Sequence, residues 1–264
     1  MRVERNAVRD NRLKKCEPID RAMHRGIYIG SPGKDIFYML PYLSEEQMQE
    51  VAKKFSKQFP IVPPTSYVNV AACIRFIYGQ FEKQGILRSQ GDFERMRNEK
   101  LDWELSRKFL GFLYKEFEKR NNYYGLSMLC EMEGHRLGDE AVINRDKNKL
   151  REMEEIYNKS VEFAYKCNGY KHLFSIYYWM SQYFKKFGDE DEALKYSKLS
   201  ILNACKYYHK YFPNGEDYYS KRLFISFNYI KKKGYKGWND FYKKYKKNVK
   251  GKKLKRVLEK IGKI

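Results

Sequence analysis

From Ser44 to about residue 233 the apolar positions recur every three or four residues, the spacing of helices with one buried face. Ser44 is followed three positions later by Gln47, as in a capping box. Met48, Val51, Ala52, Phe55 and Phe59 then share one face until Pro60, Pro63 and Pro64 stop the helix. Tyr67, Val70, Ile74, Ile77 and Phe81 predict a second helix ending near Gly85. Residues 92 to 119 predict a third and Tyr123 to Leu137 a fourth, while Leu150, Met153, Tyr157, Val161 and Ala164 mark a fifth. Three more follow at 171 to 187, 190 to 212 and about 217 to 233, with short basic segments around Trp238 and Leu254. The exception is GIYIGSPGKDIFYML, where two β-prone triplets flank a Gly/Pro turn and predict a hairpin.

No strand–helix–strand alternation is present, so the expected fold class is all-α: an irregular helical-repeat-like array or bundle with a small β-hairpin near the N-terminus. The expected organisation is a basic arm with the hairpin at 1–43, an N-terminal helical part at 44–145, a second helical part at 146–233 and a basic tail at 234–264.

One stretch is more specific. In residues 174 to 204, Gly188 stands at a turn between two helical patterns; Tyr177, Met180, Ser181 and Phe184 precede it and Ala193 follows. The order large, large, small, aromatic, then a small residue on the second helix resembles a tetratricopeptide repeat, a family of stacked helix pairs of about 34 residues. The resemblance implies that small residues let the two helices approach while large ones fill the gap between them. It also implies a partner-binding groove. Ser200 and Cys205 depart from the family pattern, and the neighbouring segments 158 to 166 and 220 to 246 keep its spacing only with insertions. A plain helical bundle containing one such hairpin is the alternative.

Charge changes the picture at the ends. The formal net charge is +21, yet residues 231 to 264 carry fifteen Lys/Arg against Asp240 and Glu259, and residues 1 to 25 carry eight against four acids. The long middle is therefore close to balanced. In the tail, Leu254, Val257, Leu258 and Ile261 share one helical face opposite a nearly all-cationic one. Lys243, Lys244, Lys246, Lys247, Lys250, Lys252, Lys253, Lys255 and Arg256 are the candidate polyanion-binding residues, for RNA or DNA; a solvated lysine-rich end is the bland alternative. Aromatic residues make up 17% of the chain, more than one core stripe per helix requires. Tyr178, Tyr183, Tyr207 and Tyr208, interleaved with Lys185, Lys186 and Lys195, are the candidate lining of a protein-partner groove, weighed against tyrosines that simply pack with hydroxyls at the surface.

Reactive chemistry finds little support. The five cysteines are scattered without a CxxC pair, the four histidines are far apart, and neither pattern asks for a metal or cofactor. Cys130 with His135 and Cys205 with His209 lack an orienting acid, so buried cysteines are expected, and the acid pairs Glu131/Glu133 and Glu154/Glu155 are expected to be solvated. With no apolar run near the roughly 20 residues that span a bilayer, the expectation is a non-enzymatic, cytoplasmic interaction protein. The alternative is a dedicated nucleic-acid-binding protein, including a viral structural protein that contacts a packaged genome. The GSPGK stretch at 30–34 lacks phosphate-loop spacing, because Tyr28 stands where the first glycine belongs and Asp35 where a hydroxyl residue belongs. Accordingly, purified protein and its Lys34→Ala variant should be equally inactive in an ATP-turnover assay; turnover that vanishes with Lys34 would show a phosphate loop.

Overall fold

The computed structural model describes residues 36–37, 39–62, 102–211 and 217–234, with single positions at 83, 243, 256 and 259. Among these the regular structure is helical and contains no strand. A short 3-10 turn, Leu40–Tyr42, precedes seven α-helices: α1 Glu45–Gln58, α2 Trp103–Lys119, α3 Tyr123–Asn144, α4 Lys147–Lys166, α5 Tyr170–Phe187, α6 Glu190–Tyr211 and α7 Asp217–Lys232. Ile36, Phe37 and Met39 are helical, so the described positions of the second β-prone triplet show no strand, while most of the expected hairpin lies outside the described residues. The first triplet, the basic arm and the helix expected at 67–85 lie outside the described residues, apart from Lys83. The described chain divides into two compact units that part inside α3, one being Met1–Arg136 with Lys166–Asn168 and the other Leu137–Tyr165 with Gly169–Ile264.

In the first unit, α1 forms as its sequence dictates. Ser44 Oγ accepts from the Gln47 amide at 3.2 Å and Gln47 Oε1 accepts from the Ser44 amide at 2.8 Å, so two otherwise orphaned donors are satisfied together. Met48, Val51, Ala52, Phe55 and Phe59 are all buried. The two phenyl groups of α1's apolar end meet Phe117 of α2, at centroid distances of 6.4 Å for Phe55 and 5.3 Å for Phe59. Asn122, fully buried in the link to α3, donates to the Phe59 carbonyl at 3.2 Å and accepts from the Gly125 amide at 2.9 Å. Gly125 has to be glycine, because a Cβ there would lie 2.7 Å from the Phe117 ring.

In the second unit, α3 continues to Asn144 instead of stopping near Leu137. Gly138 is interior to the helix, and a Cβ on it would lie 2.8 Å from the Tyr183 ring, so the glycine marks a close helix approach and not an end. Leu150, Met153, Tyr157, Val161 and Ala164 form the buried stripe of α4 and pack in one core with Tyr177, Met180, Tyr183, Phe184, Ala193 and Tyr196. α5 ends at Gly188, whose φ of 105° is left-handed, and Asp189 then caps α6 by accepting from the Glu192 amide at 3.2 Å. Ser181 and Ala193 are both fully buried, and Ser181 Oγ donates to the Ala193 carbonyl at 3.0 Å. The two helices touch where small residues permit it. Ala193→Phe should therefore cost about 1–3 kcal/mol by overpacking, measured by thermal unfolding; an unchanged melting temperature would show that no close contact exists there.

Candidate functional site

The aromatic excess resolves into two groups within the second unit. In the first, Tyr196 of α6 is held between Tyr177 and Phe184 of α5, with centroids 6.2 and 5.5 Å away and planes within 17° and 15° of parallel. The hydroxyl of Tyr196 donates to Glu154 of α4. In the second, Tyr178 and Trp179 meet edge to face at 5.4 Å. The Arg222 guanidinium of α7 lies 5.0 Å from the Tyr178 ring centre and 5.1 Å from that of Trp179, and donates to Ser175 Oγ at 3.0 Å.

The candidate groove residues divide accordingly. Tyr183 is 2% exposed and faces the core beneath Gly138, and Tyr178 is buried under Arg222. Lys185, Lys186 and Lys195 are exposed, and each ammonium lies over a tyrosine: Tyr229 at 4.9 Å, Tyr183 at 5.7 Å and Tyr196 at 4.7 Å. Such contacts contribute about 0.5–1 kcal/mol at exposed sites and leave a lysine head at the surface. Lys195 also pairs with Glu192 at 2.7 Å, and Glu154 lies 3.9 Å away. Tyr207 and Tyr208 belong to α6, but their side chains lie outside the description. Of the tail residues, Lys243 and Arg256 are helical and exposed. Lys244, Lys246, Lys247, Lys250, Lys252, Lys253 and Lys255 lie outside the described residues.

Some acids behave differently from the expectation. Glu154 is half-buried by its bond to Tyr196, whereas its neighbour Glu155 is exposed. Glu131 is buried with His135 3.8 Å away, and Glu133 pairs with Arg136 across one helical turn. Cys130 and Cys167 are buried thiols, as expected for structural cysteines. Arg222 was not singled out from the sequence, although a signal exists: it continues the buried stripe of Ser226, Tyr229 and Ile230, where a cation needs a specific partner. Among the described residues no cluster of three or more His, Cys, Asp or Glu is placed to hold a metal, and no helix is long and apolar enough to cross a membrane.

Compared with known proteins, the chain matches no family model, no curated protein and no solved structure.

The ring sandwich carries a pH signature. Burial, followed by the neighbouring Tyr165, pushes the Tyr177 phenol up to about 12. Burial, followed by the Glu154 carboxylate, pushes Tyr196 up as well. A raised phenol pKa means that the fold favours the protonated form. The associated stability is complete below the unfolded value of about 10 and is lost as pH rises through about 12. Tyr177→Phe removes that titration, so its melting temperature should fall less steeply than the parent's across this alkaline window; parallel curves would show that Tyr177 titrates normally.

Proposed function

We propose that this protein is a non-enzymatic interaction protein, in which stacked helices frame a partner surface and a basic C-terminal segment holds polyanion. The observation that carries the first half is the α5–α6 pair. Tyr177, Met180, Ser181, Phe184 and Ala193, the residues behind the resemblance to a tetratricopeptide repeat, are all buried at its contact. With α4 and α7 packed beside it, this supports an irregular repeat-like stack. Lys185, Lys186 and Lys195 are exposed on this pair and are the cations it offers to a protein segment.

The second half rests on the distribution of charge. Fifteen cations against two acids in the last 34 residues form a polyelectrolyte, and lysine is a point charge on a flexible stem that does not read base edges. Salt-dependent, sequence-tolerant binding follows from that chemistry. The same concentration of charge favours the second reading, a dedicated nucleic-acid-binding protein for which the helices are only a frame. Affinity capture with and without nuclease separates the two, since partners lost on nuclease treatment favour the second.

If six to eight of the candidate tail cations meet phosphates, the slope of log binding constant against log salt on duplex DNA should be roughly −5 to −7. Replacing Lys243, Lys244, Lys246, Lys247, Lys250, Lys252, Lys253, Lys255 and Arg256 by glutamine in the full-length chain should remove most of that slope. A titration of fluorescent duplex at several salt concentrations measures it. Equal slopes for the two chains would place any polyanion site outside the tail.

A further inference from the structure

The basic end of α7 meets the acidic start of α6. Lys233, just beyond the last turn of α7, forms an ion pair with Glu190, the first residue of α6. One turn earlier, the Tyr229 hydroxyl approaches the Glu190 carbonyl at 3.5 Å, and the Lys185 ammonium lies over the Tyr229 ring. After burial and the opposing effect of Lys233, the charges acting on the Tyr229 phenol are Glu190, Asp189 and Asp191, three of the four acids of the run. Lys231 and Lys232 occupy the last turn of α7, and the chain then enters its most cationic stretch.

The helix N-terminus favours acids throughout the first turn of α6, and the carboxylate of Glu190 has in addition a cation from outside its own helix. Asp189 Oδ1 accepts from the Glu192 amide, and Glu192 pairs with Lys195. Glu190 instead faces Lys233, just past the end of α7.

We propose that Glu190 is an internal competitor for Lys233, so that a nucleic-acid phosphate reaching the start of the basic tail first has to break this contact. The device is autoinhibitory, and it rests on the polyanion-binding reading above. Its size is limited by exposure: the side chains are 35% and 63% accessible, and an exposed ion pair supports an effect on affinity of about two- to fivefold. It acts as a tuner of affinity and not as an on–off switch.

Removing any acid from a basic protein raises its affinity for polyanion, so the test is a double-mutant cycle in the full-length chain. The parent, Glu190→Gln, Lys233→Gln and the double variant are titrated with fluorescent duplex DNA at low and moderate salt, after thermal melting shows that all four are folded. Glutamine is isosteric with Glu190 and is an uncharged polar replacement for Lys233. Glu190→Gln should tighten binding about two- to fivefold more in the parent background than in the Lys233→Gln background, and salt should shrink the difference. An equal gain in both backgrounds would leave only the generic charge effect and overturn the competition, with the polyanion reading intact. Absence of salt-dependent binding by all four chains would overturn both.

Discussion

The close approach of α5 to α6 at Ser181 and Ala193 fixes the arrangement of the second unit. Ser181 has one hydroxyl proton. Since that proton goes to the Ala193 carbonyl, the 2.6 Å contact between Ser181 and Ser197 needs Ser197 as its donor. Ser200 closes the same seam by donating to the Phe174 carbonyl at 3.2 Å. Three fully buried serines are thus satisfied without water, and the backbones come closer than large side chains would allow. The approach in turn sets the rings. Tyr177 and Phe184, seven residues apart on α5, fall on either side of Tyr196, and that clamp aims its hydroxyl at α4. One contact between small residues therefore orders three helices.

The links between helices follow a second constraint, the need to reverse the chain within a few residues. Asn121, Arg145 and Asn168 end α2, α3 and α4 with φ of 50°, 53° and 55°, a left-handed conformation that satisfies terminal carbonyls at some steric cost. Asparagine tolerates this conformation comparatively well. Arginine does not share that preference, and here its side chain has a further task. Arg145 donates to the carbonyls of Lys186 and Phe187 at 3.3 and 3.1 Å, capping the otherwise open end of α5. Three elements thus depend on one residue in a turn.

What the sequence made legible is local. The Ser44–Gln47 box, the buried stripes of α1 and α4, the Gly188 turn and the Ser181–Ala193 contact all follow from spacing within a single helix or hairpin. What it hid depends on partners far along the chain. Glu154 read as a solvated acid because Tyr196, which buries it, lies 42 residues away. Arg222 read as one more cation because Ser175 and the two rings lie on another helix. The fourth helix expected from the sequence ends near Leu137, and the Tyr183 ring explains why a glycine, a poor helix former, sits at position 138 inside α3. The IFY triplet has strand propensity, yet its described positions, Ile36 and Phe37, are buried in helical backbone, with the Phe37 ring 5.8 Å from Phe109. Strand propensity is a preference worth at most about 1 kcal/mol, within reach of such packing.

The same separation of local from distant bears on where a polyanion would bind. In the described helices several cations have acid partners: Lys195 sits between Glu192 and Glu154, Lys119 pairs with Glu116, Lys149 with Glu152 and Lys108 with Glu45. Each pair is worth little to stability, but it cancels the field at the distance where a phosphate would first sense it. Attraction at long range depends on net charge, and residues 231 to 264 have two acids with which to cancel fifteen cations. Lys233 stands at the border between the two regimes, one of the fifteen cations of residues 231 to 264 yet paired with an acid of the helical unit. The transition from balanced to unbalanced charge therefore falls at the end of α7, where under the proposed competition any polyanion affinity of the tail would depend on the Glu190–Lys233 contact.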